Sequence, residues 1–172
     1  MNYRYYDEKY ARLLIGKCFT QDIARPIAII HDGKDTAGFA SLCYEYAKKI
    51  GYKEVYLVDR KSEQIDEYLE KTNLDDIKLN DLLDRTILED LGKKHAYLLF
   101  VETYRENKAI DKQKQEKVND IINEQLNYYY ANMDNLKCPW CVACYPNKNW
   151  AKKVYPNLQV EKAYEKLYLN II

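Results

Sequence analysis

"RPIAIIHDGKDTAGFASLCYEYAKKIGYKEVYLVD", residues 25–59, decides the fold. Ile27 to Ile30 is a short apolar run, consistent with a buried strand. The next residues open with a turn, where Asp35 or Thr36 is placed to cap a helix. Phe39, Leu42, Cys43, Tyr46, Ala47 and Ile50 recur at helical steps and give that helix one apolar face. Gly51 then stops it. A second strand follows at Glu54 to Asp59. A strand, a helix and a strand in this order make a βαβ unit, and its two strands run parallel.

The same rhythm extends outward. Before the unit, Tyr3 to Phe19 reads as a helix with a stripe of Tyr6, Tyr10, Leu13, Leu14 and Cys18. After it, Ser62 opens a short helix. "LNDLLDRTILEDLGKK" gives another, with Asn80 as its cap and Leu82, Leu83, Ile87, Leu88 and Leu91 facing inward. Ala96 to Glu102 is a third strand. A long helix from Lys108 to Met133 presents Val118, Ile121, Ile122, Leu126, Tyr129 and Tyr130. Trp140 to Tyr145 falls where the rhythm calls for a fourth strand. The closing "VEKAYEKLYLNII" sets Val160, Ala163, Tyr164, Leu167 and Ile171 on one helical face. The alternation predicts an α/β fold, a three-layer sandwich with a mainly parallel sheet of at least four strands. No internal repeat and no domain boundary interrupts it.

Composition narrows the function classes. Lys plus Arg and Asp plus Glu are 27 each, so nothing in the balance calls for nucleic acid or an anionic membrane as partner. No apolar run is long enough to cross a bilayer. The first residues, "MNYRYYDEKYARLL", lack the apolar core of a signal peptide. The cytoplasm with reduced cysteines is the expected setting. Eighteen tyrosines are an unusual load. They read mainly as rings filling core edges with their hydroxyls wet, and secondarily as a surface that meets another domain or subunit.

"CPWCVAC", Cys138 to Cys144, is the stretch that most suggests chemistry. Its geometry argues against it. Side chains alternate faces along a strand, so Cys141 and Cys144 point apart and cannot share an ion. A zinc knuckle needs four ligands, and Cys18, Cys43, His31 and His95 are isolated in sequence. A redox CxxC needs a helix after its first cysteine to stabilise the thiolate, but a strand follows here. The cysteines therefore read as small apolar residues. His31 ends the first strand and His95 precedes the third, which places them at opposite ends of a parallel sheet. "HDGKDTAG" lacks the glycine spacing of a phosphate loop and reads as a turn with a helix cap. Asp59 and Glu102 sit near the carboxyl ends of strands two and three, where a crevice could use them. The run "ETYRENKAIDKQKQ" reads as a solvated charged stretch.

One resemblance extends over nearly the whole chain. "PWCVACYPNKNWAKKVYP", Pro139 to Pro156, resembles a segment of the thermophilic aminopeptidases, the M29 metallopeptidase family. The matching pattern is the apolar strand Val142 to Tyr145, then Pro146, Trp150, Ala151 and Pro156. "YARLLIGKCF", "AGFASLCYEYAKKIGYKEVYLVD" and "AYEKLYLNI" are similar to other segments of the family's N-terminal domain. Asn147, Lys148 and Asn149 depart from its usual turn.

The resemblance implies that residues 1–172 form an N-terminal α/β domain of an M29-like aminopeptidase, with the catalytic C-terminal domain absent. Such a chain would be the non-catalytic part of a metal-dependent enzyme that removes N-terminal residues from peptides. It would be inactive alone. The implied zinc or cobalt would belong to the missing domain, because no stretch here matches the family's Glu/His/Asp constellation. No catalytic, cofactor or metal residue is carried over. The missing domain is the implied partner, peptide is the substrate of the full protein, and a homo-oligomer stays open. The alternative is a small-molecule or regulatory α/β module with a ligand near Asp32, Gly33, Asp59 and Glu102. A redox protein using Cys138 and Cys141 is a further rival. If a domain is missing, Tyr168, Leu169 and Ile172 should be bare, since one helical stripe cannot bury them together with Tyr164, Leu167 and Ile171.

Overall fold

Eleven elements in a computed structural model, which describes residues 2–19, 22–78, 85–106 and 110–172, follow the expected alternation. They are α1 (Tyr3–Lys17), β1 (Ile27–His31), α2 (Lys34–Lys49), β2 (Val55–Asp59), α3 (Ser62–Lys71), α4 (Arg85–Lys93), β3 (Tyr97–Glu102), α5 (Lys112–Asp134), β4 (Trp140–Cys144), α6 (Lys148–Val154) and α7 (Val160–Ile171). A short 3-10 turn at Leu74–Asp76 follows α3. The strands form one sheet in the order β2-β1-β3-β4, and every pair is parallel. This is the α/β sandwich with a parallel four-stranded sheet that the alternation predicts. Asn80, Leu82, Leu83 and Lys108, read above as helix residues, lie outside the described residues.

Alternation along the strands sorts the core into two layers. Ile27 and Ile29 of β1 pack with Leu14 and Ile15 of α1 and Phe39, Ala40 and Cys43 of α2. Ala28 and Ile30 pack on the other face with Leu91 of α4 and Leu126 and Tyr129 of α5. The crossover from β1 to β2 therefore lies on one face, and that from β3 to β4 on the other. A smaller cluster of Leu69, Ile77 and Val118 joins α3 to α5. Lys114 and Lys117 of α5 strengthen that join by donating to the carbonyls of Leu69 and Leu74.

Three local expectations change. Asp35 and Thr36 do not occupy the N-cap of α2, which is Gly33 at φ 69°. Thr36 instead reaches back, accepting from the Asp32 N–H at 3.1 Å and donating to the Asp32 carbonyl at 3.0 Å. The end of α2 is as read: Gly51 adopts φ 101°, its N–H bonds the Lys48 carbonyl, and the Tyr52 N–H bonds that of Ala47. That double bond is a Schellman stop.

The second change is the face of α1. Asp7, Ala11, Leu14 and Ile15 are buried, whereas Leu13 and Tyr6 of the expected stripe are exposed. A pattern of apolar residues overlooks a carboxylate that tertiary partners hold inside. The Tyr168 hydroxyl donates to Asp7 Oδ1 at 2.6 Å and the Tyr145 hydroxyl to Oδ2 at 3.1 Å. The third change concerns α7. Tyr168 is fully buried against α1, its ring edge-on to Tyr3 at 4.7 Å. Leu169 remains 57% exposed and Ile172 is half-buried. Only part of the expected surplus is therefore bare.

Burial raises the Asp7 carboxyl above its ordinary value, and the hydrogen bonds from Tyr168 and Tyr145 oppose this without cancelling it. The geometry accommodates the neutral acid. Tyr168 has one hydroxyl hydrogen but two acceptors in reach, Asp7 Oδ1 and the Tyr3 carbonyl at 2.9 Å. A protonated Asp7 can donate to Tyr168, which then donates to Tyr3.

Two predictions follow from these positions. Gly51→Ala should destabilise the domain by about 1 kcal/mol in urea unfolding, because an L-residue pays for the left-handed conformation. No clash adds to this, since the nearest atom to a new Cβ is Ile23 Cδ1 at 3.7 Å. Asp7→Asn tests the carboxyl. A raised folded pKa gives stability that is present below the unfolded value and is lost as pH rises through the folded one. The stability of the natural protein relative to Asp7→Asn should therefore fall as pH rises from the ordinary carboxyl range through the raised value of the folded state. A difference that grows in the other direction would contradict this reading.

Candidate functional site

The carboxyl ends of β1, β2 and β3 open into a crevice of about 600 Å³. In an open parallel sheet, such a crevice lies where the crossover direction reverses, here between β1 and β3. Asp32 follows β1, Asp59 ends β2 and Glu102 ends β3, and all three line it. Phe100, Ile122 and Leu126 supply an apolar lining.

The acidic residues are engaged. Asp59 Oδ1 accepts from the N–H groups of Gly33 at 3.1 Å and Lys61 at 3.0 Å. This locks the turn after β1 to the turn after β2. Asp32 accepts from the Ser62 N–H at 3.0 Å, the first turn of α3, and from Arg105 Nη1 at 3.0 Å. Arg105 also donates to Asp66 of α3, so its guanidinium ties three segments together. Burial disfavours the ionised form of Asp32, but Ser62 and Arg105 outweigh it and hold the carboxyl below its ordinary value. Glu102 Oε2 pairs with Arg60 Nη2 at 2.6 Å.

Two crevice groups lack partners. The Tyr129 hydroxyl and Arg60 Nε are buried and make no hydrogen bond. Tyr129 is 3% exposed, and burial pushes its phenol up while the Arg60 charge opposes the push.

Asp32, Asp59 and Glu102, the strand-end residues read from the sequence, thus come together, with Gly33 joined to them through Asp59. Arg105, Asp66, Arg60 and the Tyr129 hydroxyl are additions. Arg105 lies in a run that reads as solvated charge, and no local pattern marks it as a residue that turns inward. Its only sequence signal is its place three residues beyond a strand end.

The cysteines separate. Cys138 packs in the α4–α5 layer, and Cys141 packs against the α1–α2 layer. The two thiols of the CxxC therefore point to opposite faces of the sheet. Burial raises both, Cys141 to about 11 with the Cys18 thiol hydrogen-bonded beside it. That is the reverse of a redox thiolate. Cys43 is buried, while Cys18 and Cys144 are exposed. His31 and His95 stand at opposite ends of the sheet, as its parallel direction requires.

A metal ion finds no fitting donor set here. Asp32, Asp59 and Glu102 already accept from N–H donors or arginines, and no group of three His, Cys, Asp or Glu among the described residues is arranged to hold one. Among the described residues, no helix is long and apolar enough to cross a membrane.

Comparison with known proteins gives the family of this α/β chain. The description "Thermophilic metalloprotease (M29)" matches residues 7–172, and the chain belongs to that family. Among solved structures it is similar to wild-type AmpT from Thermus thermophilus, with a TM-score of 0.79 at 17% identity. The match covers 98% of this chain and 43% of that one, so the chain spans less than half of that protein's length. No curated protein matches it.

Thiol chemistry checks the cysteine geometry. With a disulfide-exchange reagent at neutral pH, Cys18 and Cys144 should react first, Cys141 slowly, and Cys43 and Cys138 only on unfolding. Early modification of Cys138 would contradict the packing described.

Proposed function

We propose that this chain is the N-terminal, non-catalytic domain of a metal-dependent aminopeptidase. The observation that carries the reading is the coverage: 98% of the chain aligns with 43% of AmpT, so a like protein has room for a second unit of similar size. The family match over residues 7–172 supports it, as does the sequence resemblance to the family's N-terminal segments. In this reading zinc or cobalt and the hydrolytic residues belong to a C-terminal partner domain. The carboxylates of this chain hold turns and arginines together instead. Peptide is the substrate of the whole enzyme, and the cytoplasm is its setting.

Bare apolar side chains suit a domain that meets a partner. Leu136 is 76% and Trp140 52% exposed, and Val142 beside Trp140 and Leu169 on α7 are exposed as well. A second reading, a small-molecule or regulatory module, is favoured by the crevice at the strand ends.

The test is hydrolysis of amino-acid anilides by the purified chain with cobalt or zinc added. The expected result is no turnover above the metal-only control. Turnover that a chelator abolishes would overturn the non-catalytic assignment. The aminopeptidase assignment is tested by the gene: translation of the DNA following the Ile172 codon, and of the adjoining gene, should yield a sequence rich in Glu, His and Asp ligands.

A further inference from the structure

The ion pair Arg60–Glu102 stands in the crevice wall, with side chains 39% and 32% exposed. Two polar groups of residues lining the same crevice, Arg60 Nε of this pair and the Tyr129 hydroxyl, are buried and unpartnered. A buried polar group without a hydrogen bond is unfavourable, and a ligand that supplies the acceptor recovers what is missing. The missing partner is an acceptor, since Arg60 Nε can only donate and Tyr129 can donate. The choice of acceptor is constrained by charge. The crevice lining holds more carboxylates than cations. A simple anion that drew Arg60 away would leave Glu102 without its cation among like charges. A simple cation on Glu102 would strip Arg60 in the same way. A ligand with both charges exchanges one ion pair for two and leaves nothing unpaired. The apolar wall of Phe100, Ile122 and Leu126 beside the pair favours an aliphatic substituent.

We propose that this crevice binds a zwitterionic α-amino acid with an apolar side chain, inserted between Arg60 and Glu102. Its carboxylate accepts from Arg60, including Nε, and from the Tyr129 hydroxyl. Its ammonium donates to Glu102. Its side chain lies on Phe100, Ile122 and Leu126. Arg105, held by Asp32 and Asp66, keeps α3 against the sheet and preserves the crevice. This goes beyond the domain assignment and does not rest on it. If that assignment holds, the ligand is of the class released by peptide hydrolysis.

The experiment is titration calorimetry of the full chain with L-leucine, leucinamide and N-acetyl-leucine, repeated on Tyr129→Phe and Glu102→Gln. Leucine should bind, with leucinamide and N-acetyl-leucine each weaker by at least about tenfold, because each lacks one charge. Tyr129→Phe, which keeps the ring and its packing, should weaken leucine by about fivefold or more. Glu102→Gln should weaken leucine while narrowing its advantage over N-acetyl-leucine. Circular dichroism confirms that each variant is folded. No leucine binding at about 10 mM, equal binding of either analogue, or unchanged affinity in Tyr129→Phe would overturn the proposal. Because the titration reads binding and the anilide assay reads hydrolysis, failure of one is distinguishable from failure of the other.

Discussion

β1 is the element on which the rest of the structure depends. All five of its residues are buried, and it is bonded to β2 on one side and β3 on the other. A parallel strand buried on both faces must be covered by helices on both. The chain meets this by crossing from β1 to β2 over one face and from β3 to β4 over the opposite one. Reversal of the crossover direction beside β1 separates the flanking connections at its carboxyl end, and the crevice opens there. The fold and the candidate site are thus consequences of one constraint.

A second constraint closes the molecule. Asp7 is a carboxylate inside a core, a placement that is tolerated only with hydrogen-bond partners. Tyr145 comes from the residue after β4 and Tyr168 from α7. The junction therefore joins the first helix, the last strand and the last helix. It anchors α7 to this domain, with Ala163 and Leu167 packed on Ala151 of α6. Leu169, on the other side of α7, is left outward. The part of α7 that can meet a partner is narrower than its apolar content suggests.

The architecture was legible because periodicity reports burial. Ile27–Ile30, Glu54–Asp59, Ala96–Glu102 and Trp140–Tyr145 each lie within one residue of a strand at either end. The α2 face and its glycine stop were equally plain. What periodicity missed was polar burial. Asp7, Thr36 and Arg105 are fixed by partners remote in sequence or by a backbone turn, and no window of neighbouring residues shows those partners. The site was half legible for the same reason. The places of Asp32, Asp59 and Glu102 at strand ends could be read. The residues that engage them, Arg60 and Arg105, could not be told from the surrounding charged loops. The two cysteines of the CxxC lie in different layers, Cys138 from the bend before β4 and Cys141 from the strand itself, a separation that the spacing of the motif does not show.

Native-state hydrogen exchange, resolved by residue, tests the central role of β1 most directly. Opening β1 requires the whole domain to unfold, whereas edge strands open locally. The amides of Ala28 to Ile30 and of Leu98 to Phe100 should exchange most slowly, at rates set by global unfolding. Those of β2 and β4 at the sheet edges should exchange faster, with the outer turns of α7 faster still. Amides of β1 that exchange as readily as those of β2 or β4 would contradict the account, because the sheet could not then be organised around that strand.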